Sequence, residues 1–267
     1  MTTPDADLRK VQKLLTLILA ELDRVCRQIG VSYAIYGGTA IGAIRHGGFI
    51  PWDDDIDLHM PRPDYEQFIQ RYNREKLNRH YRAVSPYEAA ARHPHVKVVD
   101  QTTVQVERGI RYEGTPPGVG IDIFPLDGEP DSEEAYRRFY RRKRRWLAGY
   151  HLAVRDAGSG RPAARLAAMA FGCLPKNWFL ARADRMNRAY PYESSRFVGS
   201  TSSLYNSISN RFPREWFSSG VAVEFEGHRL QAPVGYDAIL TRLYGDYHRL
   251  PPKEQQVTHH RNQAYRK

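Results

Sequence analysis

The chain has 267 residues, with 40 Lys plus Arg against 30 Asp plus Glu, ten His and two Cys. That length closes one large or two modest domains around a hydrophobic core, and 41% hydrophobic with 26% charged residues excludes wholesale disorder and collagen-like or coiled-coil chains. The net charge of +10 says nothing about fold but favours anionic partners: nucleotides, nucleic acid, anionic lipids or phosphorylated glycans.

At the N-terminus, Thr3 before Pro4 and Asp5 predicts a helix cap. Leu8, Val11, Leu14, Leu15, Ile18, Leu22, Val25 and Ile29 then recur at spacings of three and four, as in an amphipathic helix ending near Gly30. Acids flank the apolar residues 14–20, unlike a signal peptide, and neither they nor residues 163–174 reach the roughly 20 residues a bilayer requires. With Cys26 and Cys173 too few for a disulfide framework or a zinc ribbon, a cytoplasmic protein without a transmembrane segment is expected.

Residues 31–36 predict a strand, Gly37-Gly38-Thr39 a turn, and residues 40–44 a helix. A loop with Gly47, Gly48 and Pro51 leads to residues 55–60, whose alternation predicts a strand with Asp55 and Asp57 on one face. A helix from Pro63 to Tyr72 precedes strands at 81–84, 96–99, 103–107 and 120–124. The last of these carries Asp122 between Ile121 and Ile123 and is expected to end at Pro125. Residues 131–190 read as helical, with breaks at 158–162 and Pro175. A hairpin at 221–232 and a helix at 233–244 close the chain.

Three parts of this layout carry chemistry. A glycine turn at a helix start offers free N–H groups and a positive dipole end, which suits a phosphate, although an ordinary tight turn would look the same. Asp53-Asp54-Asp55-Ile56-Asp57 crowds four acids into five residues, a costly arrangement without a cation or basic partner, and it lacks the spacing of an EF-hand. Asp122 on a later strand offers a third carboxylate. Oxygen ligands of this kind suit Mg²⁺ or Mn²⁺ bound together with phosphate oxygens.

The run from Tyr36 to Asp57, YGGTAIGAIRHGGFIPWDDDID, resembles the signature of the LicD family. So do Asp122-Ile123-Phe124-Pro125-Leu126-Asp127-Gly128 and the later Tyr244-Gly245-Asp246-Tyr247 followed by Pro251-Pro252. The family includes bacterial phosphocholine transferases, fukutin and fukutin-related protein, within the nucleotidyltransferase-fold superfamily. A generic superfamily member has Gly-Ser after its first strand and a shorter gap to its aspartates; Thr39 and the loop 45–52 follow the LicD pattern instead.

The resemblance implies an α/β (α+β) fold: a nucleotidyltransferase-like catalytic core over residues 1–130, a mixed sheet flanked by helices, with residues 131–267 as a mostly helical second half carrying a late hairpin. It implies transfer of an alcohol phosphate (phosphocholine, ribitol phosphate or glycerol phosphate) from a CDP-activated donor to a hydroxyl of a glycan or lipid-linked glycan. Asp55, Asp57 and Asp122 would be the catalytic metal ligands, Asp122 also a candidate base, and Gly37, Gly38 and Thr39 would line the phosphates.

Arg45 suits a phosphate clamp or an ion pair with Asp53 or Asp54. Lys97, between two valines on a strand, suits either the site or open solvent. Trp52 suits base stacking or a cation–π face for a quaternary ammonium. Residues 137–145 hold six arginines and Lys143; at 100° per residue the arginines share one face, a solvated surface or a peripheral contact with anionic lipid or acceptor. No helix-turn-helix, RNA-recognition or zinc-finger pattern accompanies them, so nucleic acid is not an expected partner. His259, His260 and Arg261 could reach phosphates but read as an exposed terminus. Two other functions fit the same residues: a nucleotidyltransferase attaching a nucleoside monophosphate to a small molecule, or a non-catalytic basic adaptor for membranes or glycans.

Overall fold

The computed structural model describes residues 6–75, 78–112, 114–158, 161–200, 210–258 and 263–266; Thr3 and residues 259–261 lie outside them. Helix α1 (Ala6–Ile29) buries Leu15, Ile18, Leu22, Val25 and Ile29 of the apolar stripe that the spacing predicts, and adds Leu19 and Cys26 to it. The strand expected at 31–36 shortens to β1 (Ala34–Ile35), and α2 (Gly37–His46) begins at the glycines themselves. Gly47, at φ 65°, ends α2 in the left-handed region.

Next come β2 (Asp57–Pro61), α3 (Arg62–Tyr72), β3 (Tyr81–Val84), β4 (Val96–Asp100), β5 (Thr103–Val106) and β6 (Gly120–Glu129). The main sheet runs β1-β2-β6-β4-β3, with β2 and β6 parallel and the other neighbours antiparallel. Its inner face presents Leu58, Met60, Val96, Val98, Ile121 and Ile123, all buried in one cluster with α1 and α3. The opposite face carries the alternate residues of the same strands.

Pro125 does not end β6, contrary to expectation. On the edge away from β2, β4 pairs as far as Ile123 and β7 (Phe197–Ser200) takes over from Leu126. The missing N–H of Pro125 falls at that changeover, where neither strand faces it.

Between β6 and β7 the chain makes three helices: α4 (Glu133–Val154), capped by Ser132, then α5 (Pro162–Gly172) and α6 (Lys176–Asn187). They share a small cluster of Tyr150, Ala153, Val154, Phe179 and Leu180. After β7 come β8 (Phe212–Pro213), the hairpin β9 (Gly220–Phe225) with β10 (His228–Pro233), α7 (Tyr236–Tyr244) and β11 (Gln263–Arg266), which pairs with β5. Phe225, Leu230, Ala232, Leu240 and Tyr247 bury in the main core, so the last part of the chain packs with the first while α4–α6 stand as an insertion.

The hairpin also holds the motif loop. Its turn places Glu226 and Gly227 at φ 49° and 78°. The Glu226 carboxylate takes two hydrogen bonds from Arg9 (2.6 and 3.1 Å) and one from the Phe49 N–H (3.3 Å), while its own N–H donates to the Gly47 carbonyl (2.8 Å).

Candidate active site

The parallel pairing of β2 with β6 sets Asp57 opposite Asp122, and the antiparallel pairing of β6 with β4 sets Lys97 opposite Asp122. Register partners share a face, so Asp57, Asp122 and Lys97 form one row across three strands on the face away from α1. Asp57 is fixed through its backbone: its N–H donates to Thr39 Oγ1 (2.9 Å) and its carbonyl accepts from the Tyr36 N–H (3.0 Å). The Asp122 N–H donates to the Ile56 carbonyl (3.0 Å), tying the two aspartate segments together.

Helix α2 points its N-terminus at this row. Its first internal bond runs from the Ala40 N–H to the Tyr36 carbonyl, and Tyr36 supplies no side-chain cap, so the N–H groups of Gly37, Gly38 and Thr39 have no partner within the helix. A Cβ on Gly37 would lie 3.7 Å from an Asp57 carboxylate oxygen and 3.4 Å from the Tyr244 hydroxyl; one on Gly38 would lie 2.7 Å from an Asp53 oxygen. Glycine is favoured at Gly37 because φ is 57°, and at Gly38 a side chain would force the Asp53 carboxylate to move aside. Although Tyr244 as a residue is 51% exposed, desolvation of its hydroxyl and the charges of Asp57, Asp53 and Asp55 push the phenol up to about 12.

Asp122 is largely shielded, 15% exposed, and already engaged. Lys97 Nζ lies 3.3 and 3.4 Å from its two oxygens, and His95 Nε2 lies 3.2 Å from one of them. Burial alone would raise the Asp122 carboxyl, but Lys97 and His95 hold it well below the usual carboxylate range. Burial alone would lower the Lys97 ammonium, yet Asp122, Glu107 and Asp55 raise it above its ordinary value. Behind this pair, His93 Nε2 meets Glu107 at 2.8 Å; burial opposes the charge on Glu107, but His93 and Lys97 bring it down to about 2.

The structure therefore gathers Gly37, Gly38, Thr39, Asp57, Asp122 and Lys97 at one place. Asp55 stands just ahead of β2 rather than on it, half-buried, and close enough to shift both Lys97 and Tyr244. Thr39 holds the Asp57 backbone with its hydroxyl oxygen, a role the glycine-turn reading does not anticipate. Trp52 sits half-buried in a turn closed by the Asp53 N–H and the Ile50 carbonyl (2.9 Å).

Arg45 is not brought to the row. It lies in the last turn of α2, and its guanidinium donates to the carbonyls of Tyr247 (2.7 Å) and Arg249 (3.3 Å) and to His46 Nε2 (3.0 Å). A helix of ten residues separates its ends by roughly 12–15 Å, which puts Arg45 at the opposite end from the phosphate-facing glycines.

Two further residues reach this neighbourhood. His95 belongs to the series His93, His95, Lys97, whose alternation is the signal that all three share a face. Tyr244 belongs to the quoted Tyr-Gly-Asp motif, but only the fold carries the end of α7 to the start of α2.

The donor set fits a hard divalent cation at one end of the row. Asp55 and Asp57 offer carboxylate oxygens beside the helix N-terminus, the ligand chemistry that suits Mg²⁺ or Mn²⁺. Among the described residues, however, no three His, Cys, Asp or Glu side chains already converge on a common metal position. Asp122, charge-paired with Lys97 and within 3.2 Å of His95, whose burial disfavours its charged form, would have to loosen those contacts to become a third ligand.

Residues 30–150 match the family model described as LicD/FKTN/FKRP, nucleotidyltransferase domain. Along 97% of its length the chain is 33% identical to the lipopolysaccharide cholinephosphotransferase LicD of Haemophilus influenzae, and covers 97% of that protein. The chain belongs to the LicD family of phosphotransferases. It is also 39% identical over 56 residues to the ribitol 5-phosphate transferase FKRP of human and mouse, a stretch that is 21% of this chain and 10% of theirs. The LicD match thus runs through the α4–α6 insertion and the closing hairpin, whereas the FKRP match is confined to a short segment.

Proposed function

We propose that this LicD-family chain transfers an alcohol phosphate, of the phosphocholine or ribitol phosphate kind, from a CDP-activated donor to a hydroxyl of a glycan acceptor. The observation that carries the reading is the row of Asp57, Asp122 and Lys97 facing the uncapped N-terminus of α2. The donor diphosphate would lie against the amides of Gly37, Gly38 and Thr39, within reach of the Tyr244 hydroxyl, where dipole and N–H groups stabilise its charge. Mg²⁺ or Mn²⁺ held by Asp55 and Asp57 would neutralise the same oxygens. The acceptor oxygen bonds to the phosphorus nearest the alcohol, the bond from that phosphorus to the bridging oxygen breaks, and CMP leaves with the bridging oxygen.

Asp122 fits this scheme as a fixed anion that orients Lys97 rather than as a strong base, because an effective base has a pKa near the working pH and the pairing holds Asp122 far below it. The acceptor proton then goes to another carboxylate of the row or to water. The name of the Haemophilus influenzae relative, a lipopolysaccharide cholinephosphotransferase, supports a glycan acceptor, and the exposed arginines of α4 supply a basic face toward an anionic one. Among the described residues no helix is long and apolar enough to cross a membrane.

The test is Asp57→Asn assayed against a panel of CDP-alcohols, with CMP and the modified acceptor followed by mass spectrometry. Loss of turnover of about a hundredfold or more in a folded variant is expected; unchanged turnover refutes the assignment. Transfer of the nucleoside half instead of the alcohol half would identify a nucleotidyltransferase.

A further inference from the structure

The helical insertion exposes apolar side chains that its own fold does not use. On α5, Leu166 is 70% exposed and Met169 63%; Leu174, just beyond, is 48% exposed and Trp178, on the first turn of α6, 45%. Leu166 and Met169 are three apart on one side of α5, while Ala168 on the other side is buried against the insertion. This patch belongs to none of the buried clusters.

The segment that carries it has one sign of charge. From residue 157 to 183 the sequence has no Asp or Glu, but it has Arg161, Arg165 and Arg182, besides Lys176, which turns inward onto the carbonyls of Glu88 and Ala91. Trp178 packs edge-on against Trp146 of α4 (5.3 Å), and the Arg182 guanidinium lies over both rings, at 5.2 and 5.8 Å. Arg142 and Arg145, both exposed, precede Trp146 by one turn and by one residue. Of the α4 arginines, Arg137 and Arg138 are countered by Glu133 and Glu134 one turn away. Lys143, by contrast, is buried under Phe139 and Tyr140.

We infer that α5 and the start of α6 dock on an anionic lipid bilayer, Leu166, Met169 and Leu174 entering the acyl boundary while the Trp146–Trp178 pair and the surrounding arginines lie at headgroup level. An apolar patch too small to span a bilayer, rimmed by tryptophan and arginine and free of acids, is the chemistry of an interfacial helix. A second copy of the chain suits the patch less well, because it would set the same cationic rim against itself. Such docking would hold the enzyme where lipid-linked acceptors are found. It extends the basic-face reading of α4 and is independent of the transferase chemistry, since lipid binding needs neither donor nor acceptor.

The chain offers its own probe: Cys173, beside the patch, is exposed, and Cys26 is buried. An environment-sensitive fluorophore on Cys173 should shift to the blue with vesicles of equal parts phosphatidylglycerol and phosphatidylcholine, and not with phosphatidylcholine alone. In co-sedimentation of unlabelled full-length chain, Leu166→Asp with Met169→Asp should reduce partition into the anionic vesicles by about tenfold or more, and Arg142→Glu with Arg145→Glu by a similar factor. Asp57→Asn should bind like wild type, which separates failure of this inference from failure of the transferase reading. Absence of binding to anionic vesicles, binding that survives Leu166→Asp with Met169→Asp, or a dimer by light scattering that those changes make monomeric would each overturn it.

Discussion

Replacing Lys97 with Met tests whether the row is held together electrostatically. Lys97 and Asp122 are 13% and 15% exposed, and the ammonium is within 3.4 Å of both carboxylate oxygens. Methionine keeps most of the side-chain volume but strands a buried carboxylate. Removing one partner of a buried pair costs about 3–5 kcal/mol; with His95 still at 3.2 Å the lower end applies, about 3 kcal/mol. For a chain of this size that corresponds to a fall in Tm of roughly 6–12 °C. Adding Asp122→Asn removes the stranded charge, so the double variant should recover part of the loss, with a coupling energy of at least about 1 kcal/mol.

The pH dependence has a definite sign. Asp122 is held below its unfolded value of about 3.9, so its contribution is complete above roughly pH 5 and fades as pH falls. Lys97 is raised above its unfolded value of about 10.4, so its contribution is complete below that and fades as pH rises. Urea denaturation from pH 5 to pH 9 should therefore show a constant gap between wild type and Lys97→Met, narrowing at lower pH as the wild-type pair is lost. Equal stability at pH 7, or a coupling energy below about 0.5 kcal/mol, would refute the reasoning.

Other outcomes follow from neighbouring contacts. Tyr244→Phe should weaken binding of a CDP-alcohol by about ten- to a hundredfold in calorimetry with the fold intact, the worth of one hydrogen bond to a charged oxygen. Arg45→Met should lower Tm through its lost carbonyl contacts and leave donor affinity unchanged; a large rise in KM with unchanged Tm would instead restore the phosphate-clamp role. Gly38→Ala pushes a methyl to 2.7 Å from an Asp53 oxygen and should cut turnover by more than tenfold, read beside circular dichroism. Glu226→Gln removes one charge of the pair with Arg9 at the hairpin turn that braces the loop after α2, and should cost about 1–2 kcal/mol in denaturant titration.

Local pattern was sufficient for much of this molecule. The stripe of α1, the alternation of β4 and β6, the breaks around α5 and the hairpin near residue 226 are read from spacing and turn residues, because burial on one face imposes a period and left-handed turns need Gly. The acids of residues 53–57 announced a site for the same reason: so many like charges cannot crowd together without a counter-charge. Residues far apart in sequence were another matter. That Asp122 falls opposite Asp57 and Lys97 depends on the register of β2, β6 and β4, which pairs residues 65 and 25 positions apart. Arg45 lies away from the row because a helix carries its ends apart, a distance that residue types do not reveal. Tyr244 reaches the glycines, and Glu226 the motif loop, because the closing segments fold back onto the first core. Composition fixed the +10 charge, but only the packed insertion separated buried Lys143 from the exposed arginines around α5, since burial is decided by which faces of α4, α5 and α6 meet.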